Sequence, residues 1–180
     1  MEGLTKSDMI LTQLNSSSLA EKIVEIDEAV IHLLIFQIGE YLFAFQGSQA
    51  KEILPFSAVT WIPGATALIP GVMNVRGDVV AVLDLRQILG IYETGQGPAA
   101  DFCVIIRQGD GRSGILVDNI VDVAALPVSA NGELLPTLDE RFRRFASSQI
   151  EYDHKIVTVL DAALILERVK SQRGNDIGSE

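Results

Sequence analysis

Asp78 to Leu89 reads DVVAVLDLRQIL, and Lys155 to Leu166 reads KIVTVLDAALIL. Laid over one another without a gap, six of the twelve positions are identical, and Asp84 coincides with Asp161 at a spacing of 77 residues. Each copy runs from β-branched residues through an aspartate into a stretch of helical character. β-Branched side chains suit a pleated, half-buried surface, and an aspartate oxygen can accept the free N–H groups of a helix's first turn. The phrase predicts a strand, a cap and a short helix, twice. A fainter echo precedes it: Ala44-Phe45 and Glu52-Ile53 match Gly114-Ile115 and Asp122-Val123 at a spacing of 70. Two β units of about 70 residues are each too small to bury much alone, so they are expected to share a face.

The chain around these echoes reads mainly as β. Leu33 to Phe36 and Tyr41 to Phe45 flank Gly39-Glu40 as a hairpin, and Gly47 to Leu54 continues extended. Pro55, Pro63, Gly64, Pro70 and Gly71 forbid long helices across the next segment. GIYETGQGPAA (Gly90 to Ala100) is the best internal boundary. Beyond it, Phe102 to Arg107 reads as a strand, Gly109 to Gly114 as a turn, Ile115 to Val123 as extended chain and Ser129 to Arg144 as a polar loop. Asp161 is expected to cap a helix through Val169, with a loose tail over 171–180. Residues 1–30 form an arm with six acidic and two basic residues. There Ser18-Leu19-Ala20-Glu21 fits a capping box. Leu19, Ile23, Ile26 and Val30 then recur at helical spacing, predicting a helix to about Ala29. The arm before Ser16 is expected to be disordered.

Bulk composition narrows the function. With 48% hydrophobic residues the 180-residue chain is a folded protein. Its net charge of −10 repels phosphate backbones and anionic membrane surfaces. Cys103 stands alone, so no internal disulfide forms and a reducing compartment is expected. The N-terminus shows no basic segment followed by an apolar run, so no signal peptide is expected. Ile31 to Phe45 is interrupted by His32, Gln37, Gly39 and Glu40, short of the roughly 20 apolar residues of a membrane helix. A soluble, cytoplasmic protein follows.

Few constellations carry chemistry. Asp84 and Asp161, one from each β unit, could build a proton-sharing carboxylate pair, as in a β-rich hydrolase. Both, however, precede helix-like stretches rather than open loops. Gly109-Asp110-Gly111-Arg112-Ser113-Gly114 matches a dinucleotide fingerprint letter for letter, but it leads into a strand where that site needs a helix. His32, His154 and Cys103 show no metal-ligand spacing, and no cofactor is expected. Arg76, in a glycine-bounded turn, is expected to be held by Glu52; on an exposed surface such a pair contributes at most about 1 kcal/mol.

The segment from Ile69 to Leu85 carries a resemblance. Ile69-x-Gly71-Val72-x-Asn74-x-Arg76-Gly77-x-Val79-Val80, with Val82-Leu83-Asp84-Leu85, resembles the CheW-like chemotaxis coupling proteins. The hairpin LLIFQIGEYLFAF, Gln49 to Ile53 and Gly114 to Val123 fit the same family, together covering about Ile31 to Leu166. The resemblance implies a mainly β fold of two packed, five-stranded SH3-like barrels, the first over about 33–97 and the second over about 101–161, closed by a helix over 162–170. It implies no catalysis. It implies an adaptor joining the cytoplasmic signalling tip of chemoreceptors to the regulatory domain of a CheA-type histidine kinase, recruited from the cytoplasm to membrane-bound receptor arrays. Barrel ends would meet the kinase and a groove between barrels the receptor. Glu52, Ile53, Gly71, Asn74 and Arg76 would form the partner-binding surface. Ala81 stands where the family often has proline, and Ala146-Ser147-Ser148 where it often has glycine. A module that binds the kinase but no receptor remains the alternative within the same fold.

Overall fold

The computed structural model describes residues 28–56, 59–92 and 100–176. The first half contributes β1 (Val30–Ile38), β2 (Tyr41–Gln46), β3 (Ala50–Pro55), β4 (Thr60–Trp61), β5 (Gly71–Val75), β6 (Asp78–Leu83) and helix α1 (Leu85–Leu89). The second contributes β7 (Phe102–Gln108), β8 (Gly111–Val117), β9 (Asn119–Pro127), α2 (Glu140–Arg143), β10 (Ala146–Tyr152), β11 (Lys155–Leu160) and α3 (Ala162–Asp176).

These strands form two sheets, ordered β10-β11-β2-β1-β9 and β3-β7-β8-β6-β5-β4. The duplication is legible residue by residue. Phe43 and Ala44 pair in parallel with Thr158 and Val159 in the first sheet; Ser113 and Gly114 pair in parallel with Ala81 and Val82 in the second. Those are the same positions shifted by 70 on one strand and 77 on the other. The bulges repeat as well: Lys51 is the extra residue between Ala50 and Glu52, and Val121 the extra residue between Ile120 and Asp122. A bulge adds twist and releases one residue from the ladder, so both edge strands, β3 and β9, bend at equivalent points.

One expectation requires correction. Barrels over 33–97 and 101–161 would divide the chain at the connector, but each sheet takes strands from both halves. Hairpin β1–β2 joins β9, β10 and β11, while hairpin β7–β8 joins β3 to β6. The first hairpin of each repeat has been given to the other repeat's sheet.

Burial explains why the exchange is stable. Leu33, Ile35, Ala44, Ala124, Ile150, Val157 and Val159 form a core on one face of the first sheet. Met73, Val75, Val80, Val82, Cys103, Ile105 and Leu116 form its counterpart in the second. The opposite faces meet: Leu34, Phe36, Phe43 and Phe45 share a cluster with Val104, Ile106, Ile115 and Val117. Strands β1 and β7 are thus buried on both faces, which is why they read as continuous apolar runs rather than alternating ones.

Asp84 and Asp161 do the same job in each copy. Asp84 Oδ1 accepts from the backbone N–H groups of Arg86 and Gln87 at 3.0 and 3.3 Å. Asp161 Oδ1 accepts from Ala163 N–H at 2.8 Å and from Gln49 Nε2 at 3.1 Å. Their own N–H groups bond to Leu68 O and Phe145 O, again equivalent positions. Both carboxylates are engaged as helix caps, so the hydrolase pair is not formed.

Smaller expectations shift too. The helix predicted up to about Ala29 lies outside the described residues as far as Asp27; Glu28 and Ala29 are not helical, and Val30 opens β1. The turn predicted over Gly109 to Gly114 is confined to Gly109-Asp110, and β8 begins at Gly111. The polar loop contains α2, capped by Asp139. Helix α3 runs to Asp176, past the expected end at 170.

Candidate functional site

Strands β5 and β6 are joined by Arg76 and Gly77, whose φ angles are 54° and 92°. Two successive positive φ values are the signature of the tight hairpin turn that matches strand twist. Glycine adopts that region without cost, whereas an arginine there costs roughly 1–2 kcal/mol. Two contacts hold it. Asn74 Oδ1 accepts from Gly77 N–H at 2.9 Å, closing the turn from beneath. Glu52, from β3, takes both Arg76 Nε (3.0 Å) and Nη2 (2.6 Å) on a single oxygen, Oε1.

The burial of the pair is uneven. The Arg76 side chain is 79% exposed and that of Glu52 only 24%. Coulombic gain in such a wet setting is small, so stability does not account for a strained arginine. What the pair accomplishes is orientation: the guanidinium is clamped on one edge, with its remaining N–H groups turned to solvent in a rigid fork.

Beside it, Ile53 (37% exposed) and Val123 (62% exposed) line a groove of about 180 Å³ together with His32, Leu34, Gly47 and Lys51. This groove runs between the edge strands of the two sheets. Ile53 and Val123 occupy the same position of the repeat and meet in the groove, whereas the rest of its lining comes from the first repeat. Val123 lines the groove but was not among the residues expected at this surface; its spacing of 70 from Ile53 was the signal that pairs them.

The structure brings Glu52, Asn74 and Arg76 together, with Ile53 adjacent in the groove. Gly71 stands apart from them, at the far end of β5, paired with Trp61 and Val82. Its role is space: a Cβ there would lie 2.4 Å from Thr60 O and 2.8 Å from Val59 Cγ1. Only glycine lets β4 and β5 approach so closely.

The repeat supplies an internal comparison for the turn. Asp153 and His154, with φ of 49° and 59°, occupy the places of Arg76 and Gly77 between β10 and β11. Asp122, the counterpart of Glu52, accepts a hydrogen bond from the Tyr152 hydroxyl, and that bond holds the phenol above its usual pKa. The two turns share a backbone and carry opposite charge.

Cys103 is buried against Met73, Sγ to Sδ 3.4 Å, and burial pushes its thiol up to about 12. The last glycine of the fingerprint-like run, Gly114, is explained by the same sulfur, since a Cβ there would lie 2.7 Å from Cys103 Sγ. His154 is 96% exposed beside Glu151. Among the described residues, no group of three or more His, Cys, Asp or Glu could hold a metal ion, and no helix is long and apolar enough to cross a membrane.

Two curled β sheets, internally duplicated and strand-exchanged, with a clamped arginine at the rim of the groove between them, define a class: the double-β scaffold built by tandem repeats. The family model described as the CheW-like domain matches residues 32–170, and this chain belongs to that family. It is similar to the chemotaxis protein CheW of Thermotoga maritima, 27% identical over 142 residues spanning 79% of this chain and 91% of the relative. Chemotaxis protein CheW of Bacillus subtilis is 26% identical over 144 residues, 78% of this chain and 89% of that protein. The crystal structure of the scaffolding protein TtCheW from Thermoanaerobacter tengcongensis has the same fold, with a TM-score of 0.67 over 77% of this chain and 94% of that one, at 21% identity.

Proposed function

We propose that this chain is a non-catalytic adaptor that couples chemoreceptors to a CheA-type histidine kinase, working in the cytoplasm at membrane-bound receptor arrays. Membership of the CheW-like family over residues 32–170 supports the signalling role. The observation that carries the mechanism is the clamp of Arg76 by Glu52 at the rim of the groove between the sheets. A coupling protein must pass a conformational bias from one partner to another without chemistry of its own. Arg76, fixed in direction and mostly solvated, is the contact that reads an acidic or carbonyl-rich partner surface. Ile53 and Val123 supply apolar area beside it, and Asn74 and Gly71 keep the turn and the strands behind it in place.

Gel-filtration co-elution tests the proposal directly, using the full chain, the kinase regulatory domain and a receptor signalling fragment. A ternary peak is expected with all three. Elution with the kinase domain alone supports the kinase-only scaffold instead, and elution with neither rejects both readings.

A further inference from the structure

A second concave site lies away from the Arg76 turn. A cavity of about 480 Å³ opens between β2, β11 and the segment leading into α2. Its floor is aromatic: Phe43 and Phe142 meet edge to face at 5.2 Å, and Tyr41 meets Phe142 at 4.9 Å. Leu138 and Ile156 form apolar walls, the latter 48% exposed. The cavity is braced from behind. Gln149, 7% exposed, donates through Nε2 to Thr158 Oγ1 and accepts from Leu135 N–H at 2.8 Å, tying the loop wall to the sheet.

The repeat shows that the fold does not require this cavity. At the equivalent place in the second sheet, Ser113 replaces Phe43, Ala65 replaces Phe142 and Gly111 replaces Tyr41. There Arg112 and Asp78 form an ion pair across the diverging strands β6 and β8. Their counterparts in the first sheet are Leu42 and Lys155, which cannot pair. The Lys155 side chain has no hydrogen-bond or ion-pair partner among the described residues, and neither has the side chain of Glu40, which lines the same cavity. Asp139, also in the lining, is already engaged by Arg141 at 2.6 Å.

A volume of this size falls within the range of small-molecule sites, which combine an apolar body with a few polar groups fixing orientation. The two uncommitted groups have opposite sign. We infer that this cavity is a binding site for a small zwitterion with a bulky apolar side chain, an aromatic amino acid or a short dipeptide. Its carboxylate meets Lys155, its ammonium meets Glu40, and its apolar body lies between Leu138 and Ile156, above the buried rings of Phe43 and Phe142. The inference is independent of the coupling role.

Titration of the isotope-labelled full chain with L-phenylalanine, phenylalanyl-leucine, phenylacetate and phenethylamine, followed by NMR, tests it. At least one zwitterion is expected to move the resonances of Phe43, Phe142 and Ile156, and whichever of the two binds tighter reports the separation of the two charges. Phenylacetate and phenethylamine, each lacking one charge, are expected to bind about tenfold more weakly or worse. Lys155→Gln and Glu40→Gln, both at exposed positions, are expected to weaken the zwitterion by a similar factor without changing the unfolding midpoint. The inference is overturned if none of the four moves cavity resonances at ~10 mM, a Kd beyond which binding is negligible. Equal binding of all four, indifferent to both variants, overturns it as well.

Discussion

Arg76 and Asp153 occupy one position of one hairpin, written twice. Both sit in the left-handed region, at φ of 54° and 49°, and each precedes a second residue of positive φ. Arg76 is clamped by Glu52, whereas the counterpart of Glu52, Asp122, takes the hydroxyl of Tyr152. The two turns share a left-handed backbone, and the acid beside each takes a different donor, the Arg76 guanidinium in one and the Tyr152 hydroxyl in the other. Arg76→Glu makes the two turns alike in charge. It is expected to lower affinity for the receptor fragment by about tenfold or more, while the unfolding free energy changes by about 1 kcal/mol at most because the Arg76 side chain is 79% exposed. Titration calorimetry beside denaturant unfolding measures both, and an affinity unchanged by the variant removes Arg76 from the interface.

Gly71 predicts the reverse pattern. Gly71→Val places side-chain atoms against Thr60 O, 2.4 Å from the Cβ position, where the neighbour is backbone and cannot yield cheaply. Overpacking of this kind costs about 1–3 kcal/mol. Chemical denaturation is expected to show that loss, with partner affinity recovering once the variant is measured well below its unfolding midpoint.

Cys103 is expected to be inert in the native state. A thiol pushed up to about 12 carries almost no thiolate at pH 8, and the thiolate is the nucleophile. Alkylation with iodoacetamide at pH 8 is expected to be undetectable in native protein and complete in denaturant. Rapid native labelling would show that the strand pairing of β7 with β8 opens on that timescale.

The two capping aspartates of α1 and α2 are expected to titrate on opposite sides of the ordinary value. Burial raises Asp84, against the backbone N–H bonds that oppose the shift. Hydrogen bonds from Arg141 lower Asp139. For Asp84 the native state holds its proton to higher pH than the unfolded chain, so its contribution to stability falls as pH rises from the ordinary value through the raised one. For Asp139 the sign reverses: stability is present above the ordinary value and is lost as pH falls through the lowered one. Carboxyl 13C shifts recorded against pH measure the order directly, with Arg141→Ala expected to move Asp139 part of the way back, since the backbone N–H of residue 141 still donates to it.

The exchange of hairpins predicts how the chain comes apart. Since β1–β2 completes the sheet of the second half and β7–β8 that of the first, fragments 28–92 and 100–176 each lack the strands at the middle of their sheet. Each alone is expected to lack a cooperative unfolding transition, and the equimolar mixture to regain one. Independent folding of either fragment contradicts the strand assignment.

Much of this architecture was legible in the residues because its signals are local. A cap needs only Asp84 and the N–H groups of the next turn, and a tight hairpin needs only Gly39-Glu40 between apolar runs, so both were readable from short windows. The exchange was not. Pairing of Phe43 with Thr158 links strands far apart in sequence, and a strand's own residues do not say which partner it takes when both faces are buried. The Arg76–Glu52 pair was expected from the glycine-bounded turn and again from the family resemblance, and the geometry joins those two residues while setting Gly71 aside. The cavity over Phe43 and Phe142 had no linear signature, because its lining comes from β2, β11 and α2.

On the proposed function, this double-β scaffold transmits receptor state to a kinase through docking alone. Reconstituting receptor signalling fragment, kinase and ATP, with and without the full chain, and measuring the rate of kinase autophosphorylation tests it most directly. The expected result is a kinase rate that responds to the receptor only when the chain is present, and that loses this response with Arg76→Glu. A kinase rate indifferent to the chain at saturating concentration contradicts the claim.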